Sequence, residues 1–145
     1  MLALTGSVEL RRAFGIAEAG LSFRAAGLVS TMLDTQRRDL MRAISDVVTN
    51  KDDQGKAYEQ YLLDPSLLVA VPLPPLFLAT SAEDLIQKDT LKLDGLLAAV
   101  GTEHELLNFP KGGERQLIHV FSVSYPMYPE SREVLTQMDA FFRAH

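Results

Sequence analysis

The chain has 145 residues, 47% of them hydrophobic and 23% charged, and a formal net charge of -5. This length and composition are typical of a single globular domain, and the acidic balance argues against nucleic acid or acidic membrane surfaces as partners. There is no cysteine, which excludes disulfides, thiolate catalysis and cysteine metal sites. The three histidines lack the spacing of a helical zinc site, so we expect no metal and no cofactor.

No segment is typical of a membrane span or a secretion signal. The most apolar run, residues 62–79, contains four prolines and an aspartate, which a lipid-exposed helix does not tolerate. The first residues lack a basic region followed by an apolar stretch and a small-residue cleavage site. We therefore expect a cytoplasmic location.

The first half of the chain combines helical and strand patterns. Apolar residues at helical spacing predict a helix over residues 8–19, which Gly20 would end. The apolar run at residues 25–33 has no polar alternation, which is typical of a parallel strand covered on both faces. Residues 36–75 are interpreted as a helical excursion inserted into one domain of residues 1–145. Within it we expect helices at 38–48 and 56–63, and irregular backbone around Pro65 and Pro72.

The second half alternates more regularly between strands and helices. We predict strands at residues 76–80 and 105–109, a helix at 89–100 capped by Asp89 and ended by Gly101, and a last helix that begins at Pro129. The expected core residues of these two helices are Leu91, Leu93, Leu96, Leu97 and Val100, and then Val134, Leu135, Met138, Phe141 and Phe142. The alternation predicts an α/β fold with a short parallel sheet and flanking helices, equivalent to half of a doubly wound domain.

Two side chains are candidates for chemistry. Asp84 follows the strand at residues 76–80, and His119 follows the strand at 105–109. The carboxyl ends of neighbouring parallel strands meet at one edge of a sheet. We therefore expect the Asp84 carboxylate within hydrogen-bond reach of the imidazole, where it would orient His119 as a general base. The alternative is a turn or capping aspartate and an ordinary loop histidine.

These residues lie in a pattern that resembles the C-terminal part of the hormone-sensitive-lipase-like α/β-hydrolases, the bacterial acetyl-hydrolase and carboxylesterase group. The similar segments are PPLFLA at 74–79, EDLIQKD at 83–89, LKLDGLLAAVG at 91–101, HVF at 119–121, PESREVL at 129–135 and FFRAH at 141–145, with a looser likeness in AEAGLSFRAAGLV at 17–29. The resemblance implies that Asp84 and His119 correspond to the acid and base of a Ser-His-Asp triad, and that the substrate is a small carboxylic ester.

The chain departs from this family where the nucleophile is expected. It has no Gly-Asp-Ser-Ala-Gly elbow and no His-Gly-Gly oxyanion loop. Ser7 lacks the small flanking residues of an elbow and is interpreted as a helix N-cap. The stretch between Pro110 and His119 is also several residues longer than in the family, which could displace the histidine.

Two functions therefore stay open. The chain is an esterase-type or lipase-like hydrolase polypeptide that carries the acid and base and needs a nucleophile-bearing segment, or it is a catalytically silent α/β-hydrolase remnant that acts only as a folded association module. In the complete family fold, the strand at residues 25–33 has a further neighbour, here missing or reduced to residues 1–5. Since an unpaired strand edge favours association, we expect a homo-oligomer, most simply a two-fold homodimer.

Overall fold

The structure is a computed structural model and describes residues 2–17, 20–33, 56, 60–61, 64–111 and 113–145. The chain divides into two compact units, one of Met1–Phe23 and Leu33–Leu73 and the other of Arg24–Met32 and Pro74–His145. Most of the predicted excursion at residues 36–75, including the expected helix at 38–48, lies outside the described residues. No helix within the described ranges is long and apolar enough to cross a membrane.

The first unit begins with two short helices, α1 (Leu2–Gly6) and α2 (Val8–Ala13). The expectation of a reduced strand at residues 1–5 is wrong, because residues 2–5 belong to α1. Helix α2 ends well before the predicted boundary at residue 19. Gly15 takes a φ of 64°, and its N–H donates to the Arg12 carbonyl at 3.1 Å while the Ile16 N–H donates to the Arg11 carbonyl at 2.9 Å. This pair of hydrogen bonds is a Schellman motif, so Gly15, and not Gly20, ends the helix.

A further helix in the described part of this unit, α3 (Pro65–Val69), replaces the irregular backbone expected around Pro65. The Asp64 carboxylate accepts a hydrogen bond from the Ser66 N–H at 3.0 Å and so caps the helix. Proline is favoured in the first turn, because its φ suits a helix and its missing N–H has no partner there. The proline therefore starts this helix instead of preventing it.

The second unit contains a parallel sheet of three strands in the order β1 (Ala26–Val29), β2 (Leu76–Ser81), β3 (His104–Phe109). Ala26 is paired with Leu76, and Leu76 with His104, so the strands start level with one another. Every residue of β2 is buried, as expected for the centre of a covered parallel sheet. The predicted fold class is confirmed, although β1 is shorter than the predicted strand at residues 25–33.

Helix α4 (Gln87–Val100) follows β2 and ends at Gly101, which has a φ of 73° as predicted for a left-handed C-cap. The expected cap is wrong: Ile86 occupies the N-cap position, and Asp89 lies in the first turn. The predicted core face is also partly wrong. Leu93 and Leu97 are buried, whereas Leu91 and Val100 are exposed.

The chain ends with α5 (Phe121–Ser124), which the sequence analysis did not predict, and α6 (Pro129–Ala144), which begins at the predicted proline. These helices pack on the sheet around a core of Phe77, Ala79, Leu117, Phe121, Val134 and Phe141. Leu135 and Phe142 were expected in this core and are exposed. One apolar cluster therefore joins β2, the start of α5 and α6, and its residues Leu117 and Phe121 flank His119 in the sequence.

Candidate active site

Asp84 is placed by a tight turn at the carboxyl end of β2. Its N–H donates to the Ser81 carbonyl at 3.1 Å, and its own carbonyl accepts the Gln87 N–H at 3.0 Å at the start of α4. The side chain points inward and is fully buried. A buried carboxylate needs hydrogen-bond donors to offset its lost hydration, and the structure supplies three.

Those donors fix the direction of the Asp84 carboxylate. Oδ1 accepts the Ile86 N–H at 3.1 Å, and Oδ2 accepts the Thr80 hydroxyl at 3.3 Å. The third contact joins Oδ1 to Nδ1 of His119 at 3.2 Å. Asp84 is therefore a turn aspartate, and its predicted contact with His119 is confirmed as well. The same oxygen, Oδ1, bonds the Ile86 N–H of the turn and contacts His119 Nδ1.

His119 lies just before α5, and its side chain is 37% exposed. Nδ1 faces Asp84, and Nε2 has no hydrogen-bond partner among the residues that the structure describes. A carboxylate that accepts from Nδ1–H leaves the lone pair on Nε2 and stabilises the cation that forms when Nε2 takes a proton. This arrangement can act as a general base toward a hydroxyl placed at Nε2. The extra length before His119 has not moved the ring out of reach of Asp84.

A second histidine-aspartate contact shows what a structural pair looks like in this chain. His104 Nε2 lies 3.2 Å from Asp94 Oδ1, the same distance as in the first pair. However, His104 Nδ1 is also engaged, at 2.7 Å from the Thr102 carbonyl oxygen. His104 is the first residue of β3, and so it lies at the opposite end of the sheet from His119. With both ring nitrogens occupied, His104 has no free nitrogen for a reacting group.

The segment that bears His119 is held on its N-terminal side by residues at the end of β2. The Leu117 N–H donates to Glu83 Oε2 at 2.9 Å, and the Leu117 carbonyl accepts the Ser81 hydroxyl. Ser81 Oγ also accepts the Glu83 N–H at 3.2 Å. Both backbone polar groups of buried Leu117 are therefore satisfied by side chains of the turn that carries Asp84.

The same segment is held on its C-terminal side by Ser30, the residue after β1. The Val120 N–H donates to Ser30 Oγ at 2.9 Å. Ser30, Ser81 and Glu83 were not predicted from the sequence to hold this segment. Their positions in the sequence could have identified them, since Ser30 and Ser81 are polar residues at the ends of apolar strands and Glu83 precedes Asp84.

Ser7 is an N-cap, as predicted. Its hydroxyl accepts the Leu10 N–H at 3.1 Å, and its backbone is extended as an N-cap requires. Ser7 belongs to the first compact unit, and Asp84 and His119 belong to the second.

Metal-binding side chains do not converge within the described part of the chain. No group of three or more histidine, aspartate or glutamate side chains there is arranged to hold a metal ion.

No protein-family model matches the chain, and no curated protein matches it by sequence. Solved structures do match it. Esterase B from Lactobacillus rhamnosis is 24% identical with a TM-score of 0.83, and the match covers 99% of this chain and 46% of that one. An esterase/lipase from an uncultured bacterium is 22% identical, with a TM-score of 0.65 over 98% of this chain and 49% of that one. EstE5 is 20% identical, with a TM-score of 0.66 and the same coverage of 98% and 49%.

The chain has half of an α/β-hydrolase fold. It spans about half the length of each esterase that it matches. At these identities the likeness establishes the fold and does not assign roles to individual residues.

Proposed function

We propose that this polypeptide supplies the acid and base of a carboxylic ester hydrolase of the hormone-sensitive-lipase-like group. The observation that carries the proposal is the contact of 3.2 Å between His119 Nδ1 and the buried Asp84 carboxylate, with Nε2 unengaged at the carboxyl edge of the sheet. Ligands and catalytic groups collect at this edge in open α/β sheets.

In the proposed reaction, His119 Nε2 removes the proton of a serine hydroxyl as its oxygen attacks the ester carbonyl. The imidazolium then returns that proton to the departing alkoxide, which leaves as an alcohol, and an acyl-serine remains. Water repeats the sequence, with His119 as base, and releases the carboxylic acid. The Asp84 carboxylate holds the tautomer and stabilises the imidazolium.

Short-chain esters are the proposed substrates. Esterase B is described with a tributyrin phosphonate inhibitor, and EstE5 with p-nitrophenyl butyrate soaked into the crystal. Both compounds carry short acyl chains, and the resemblance of residues 73–145 to the carboxylesterase group supports the same class here.

The serine has to come from a segment other than the printed sequence, which contains no Gly-x-Ser-x-Gly elbow. The test is therefore a fusion of this chain to a strand-and-turn segment that carries such an elbow, assayed on p-nitrophenyl butyrate. We expect His119→Gln to lower kcat by roughly 10³- to 10⁶-fold. His104→Gln removes a histidine with an equally close aspartate and should leave kcat near the parent value.

The result against the proposal is a folded fusion with a titratable active serine whose rate does not depend on His119. In that case the chain is the alternative, a catalytically silent remnant that acts only as a folded association module. The missing elbow favours this second candidate, and the open Nε2 of His119 favours the first.

A further inference from the structure

Two residues next to the site have a backbone conformation that side chains rarely adopt. Ser30 and Val120 both have a φ of 51°, and they are the only residues besides glycine with a positive φ in the part of the chain that the structure describes. For a β-branched residue such as Val120, this conformation is a true outlier, which persists only where the surroundings impose it. The two outliers are hydrogen-bonded to each other, since the Val120 N–H donates to Ser30 Oγ at 2.9 Å.

The conformation of Val120 bears directly on the histidine. Val120 follows His119 and is the N-cap residue of α5, whose Ser124 N–H donates to the Val120 carbonyl at 3.0 Å. The helix beyond it is fixed by buried Phe121. If Val120 relaxed out of the left-handed region, the peptide between it and His119 would rotate and carry the imidazole away from Asp84.

The other end of the segment is hydrogen-bonded to a different residue. Glu83 Oε2 accepts the Leu117 N–H at 2.9 Å. Glu83 precedes Asp84, so the same turn orients the carboxylate and the backbone that leads to the imidazole. Among the described residues, Asp84 is the one hydrogen-bond partner of the His119 side chain. That side chain is 37% exposed, so it is not held by packing alone.

We propose that Ser30 and Glu83 are positioning residues, which hold the two ends of residues 117–120 so that His119 Nδ1 stays on Asp84 and Nε2 stays open. Neither residue touches the reacting atoms. This positioning role rests on the proposed function, but the hydrogen bond between His119 Nδ1 and Asp84 can be measured without an assay of hydrolysis.

The test is the Nδ1–H proton of His119 in the full chain, observed by NMR and assigned with His119→Gln. Ser30→Gly removes the hydroxyl and leaves a residue that tolerates the positive φ, and Glu83→Ala removes the carboxylate. In each variant we expect the Nδ1–H proton to exchange with water roughly tenfold faster or more, in line with the loss of one hydrogen bond. Glu83→Gln keeps an acceptor oxygen and should restore slow exchange.

Matched controls come from exposed residues close to the same segment in sequence. Ser124→Ala and Glu114→Ala remove a hydroxyl and a carboxylate from exposed positions, and both should leave the exchange rate unchanged. Far-UV circular dichroism checks that every variant is folded.

An unchanged Nδ1–H exchange rate in folded Ser30→Gly and Glu83→Ala would overturn the proposal. So would unfolding of Glu83→Gln together with Glu83→Ala, because a general structural role would then explain both. The two proposals fail separately. Faster exchange with no effect of His119→Gln on the fusion's hydrolysis would keep the positioning role and reject the hydrolase, and the reverse pattern would keep only the hydrolase.

Discussion

Two histidine-aspartate pairs in the described part of the chain have equal distances and differ at the second ring nitrogen. His119 and His104 each lie 3.2 Å from a carboxylate oxygen. The second nitrogen of His104 contacts a carbonyl, whereas that of His119 has no partner among the described residues. Sequence position was enough to predict that His119 lies near Asp84, because each residue follows the end of a strand. The state of the second nitrogen depends on tertiary contacts and could not be predicted from sequence.

Ser7 allows a test that separates capping from catalysis. We expect Ser7→Ala to lower the free energy of unfolding by about 1 kcal/mol, because the Leu10 N–H loses its acceptor. Ser7→Asp keeps an acceptor oxygen and should stay close to the parent. Chemical denaturation measures both changes.

The same variants test the absence of a nucleophile in the chain alone. Hydrolysis of p-nitrophenyl acetate should stay near background in the parent, in Ser7→Ala and in Ser7→Asp, since removal of a triad member typically costs on the order of 10⁴-fold or more in turnover. Robust turnover that disappears in Ser7→Ala would identify Ser7 as the nucleophile and contradict this account.

At the scale of the elements, the sequence predicted correctly those helices and strands whose bounds depend on residues close together in the chain. The apolar run of β2 and the Pro129 start of α6 were predicted correctly, because each depends on nearby residues. The end of α2 was predicted wrongly, because the apolar spacing continues past Gly15, where the backbone turns. The buried face of α4 was predicted only in part, since apolar residues occur around much of that helix and contacts with the sheet decide which of them are buried.

Helix α4 offers two glycines with opposite expected effects. Gly101 ends the helix with a φ of 73°, and a Cβ there would meet no atom within 4 Å. Gly101→Ala should therefore destabilise by about 1 kcal/mol through backbone strain alone. Gly95 lies inside the helix, with equally open space, and Gly95→Ala should stabilise by up to about 1 kcal/mol.

Thermal and chemical unfolding of the two variants measure this pair directly. Destabilisation by Gly95→Ala would show that the interior of α4 is not as described, and a neutral Gly101→Ala would show the same of its end.

At the scale of the whole molecule, the outer side of β1 has no strand paired with it among the described residues. Within the described residues β1 pairs with β2 alone, and all four of its residues are partly exposed. A strand edge presents unpaired N–H and C=O groups that favour pairing with another strand. No lysine or proline within β1 discourages such pairing.

We predict that the chain self-associates, most simply as a two-fold homodimer that covers β1 or the apolar surface beside it. Sedimentation velocity across a dilution series at micromolar concentrations should show a species of twice the monomer mass that dissociates on dilution. A single monomer at every concentration would remove the case for a partner at this edge.

The central claim is that Asp84 and His119 act together as an acid–base pair, and the aspartates test it most directly. In the fusion that carries an elbow serine, kcat/KM for p-nitrophenyl butyrate should fall by about 10²- to 10⁴-fold in Asp84→Asn, because the imidazole loses the carboxylate that holds its tautomer and stabilises its cation. Asp94→Asn alters the equally close pair at the other end of the sheet and should leave kcat/KM near the parent value. Equal effects of the two substitutions would contradict the account.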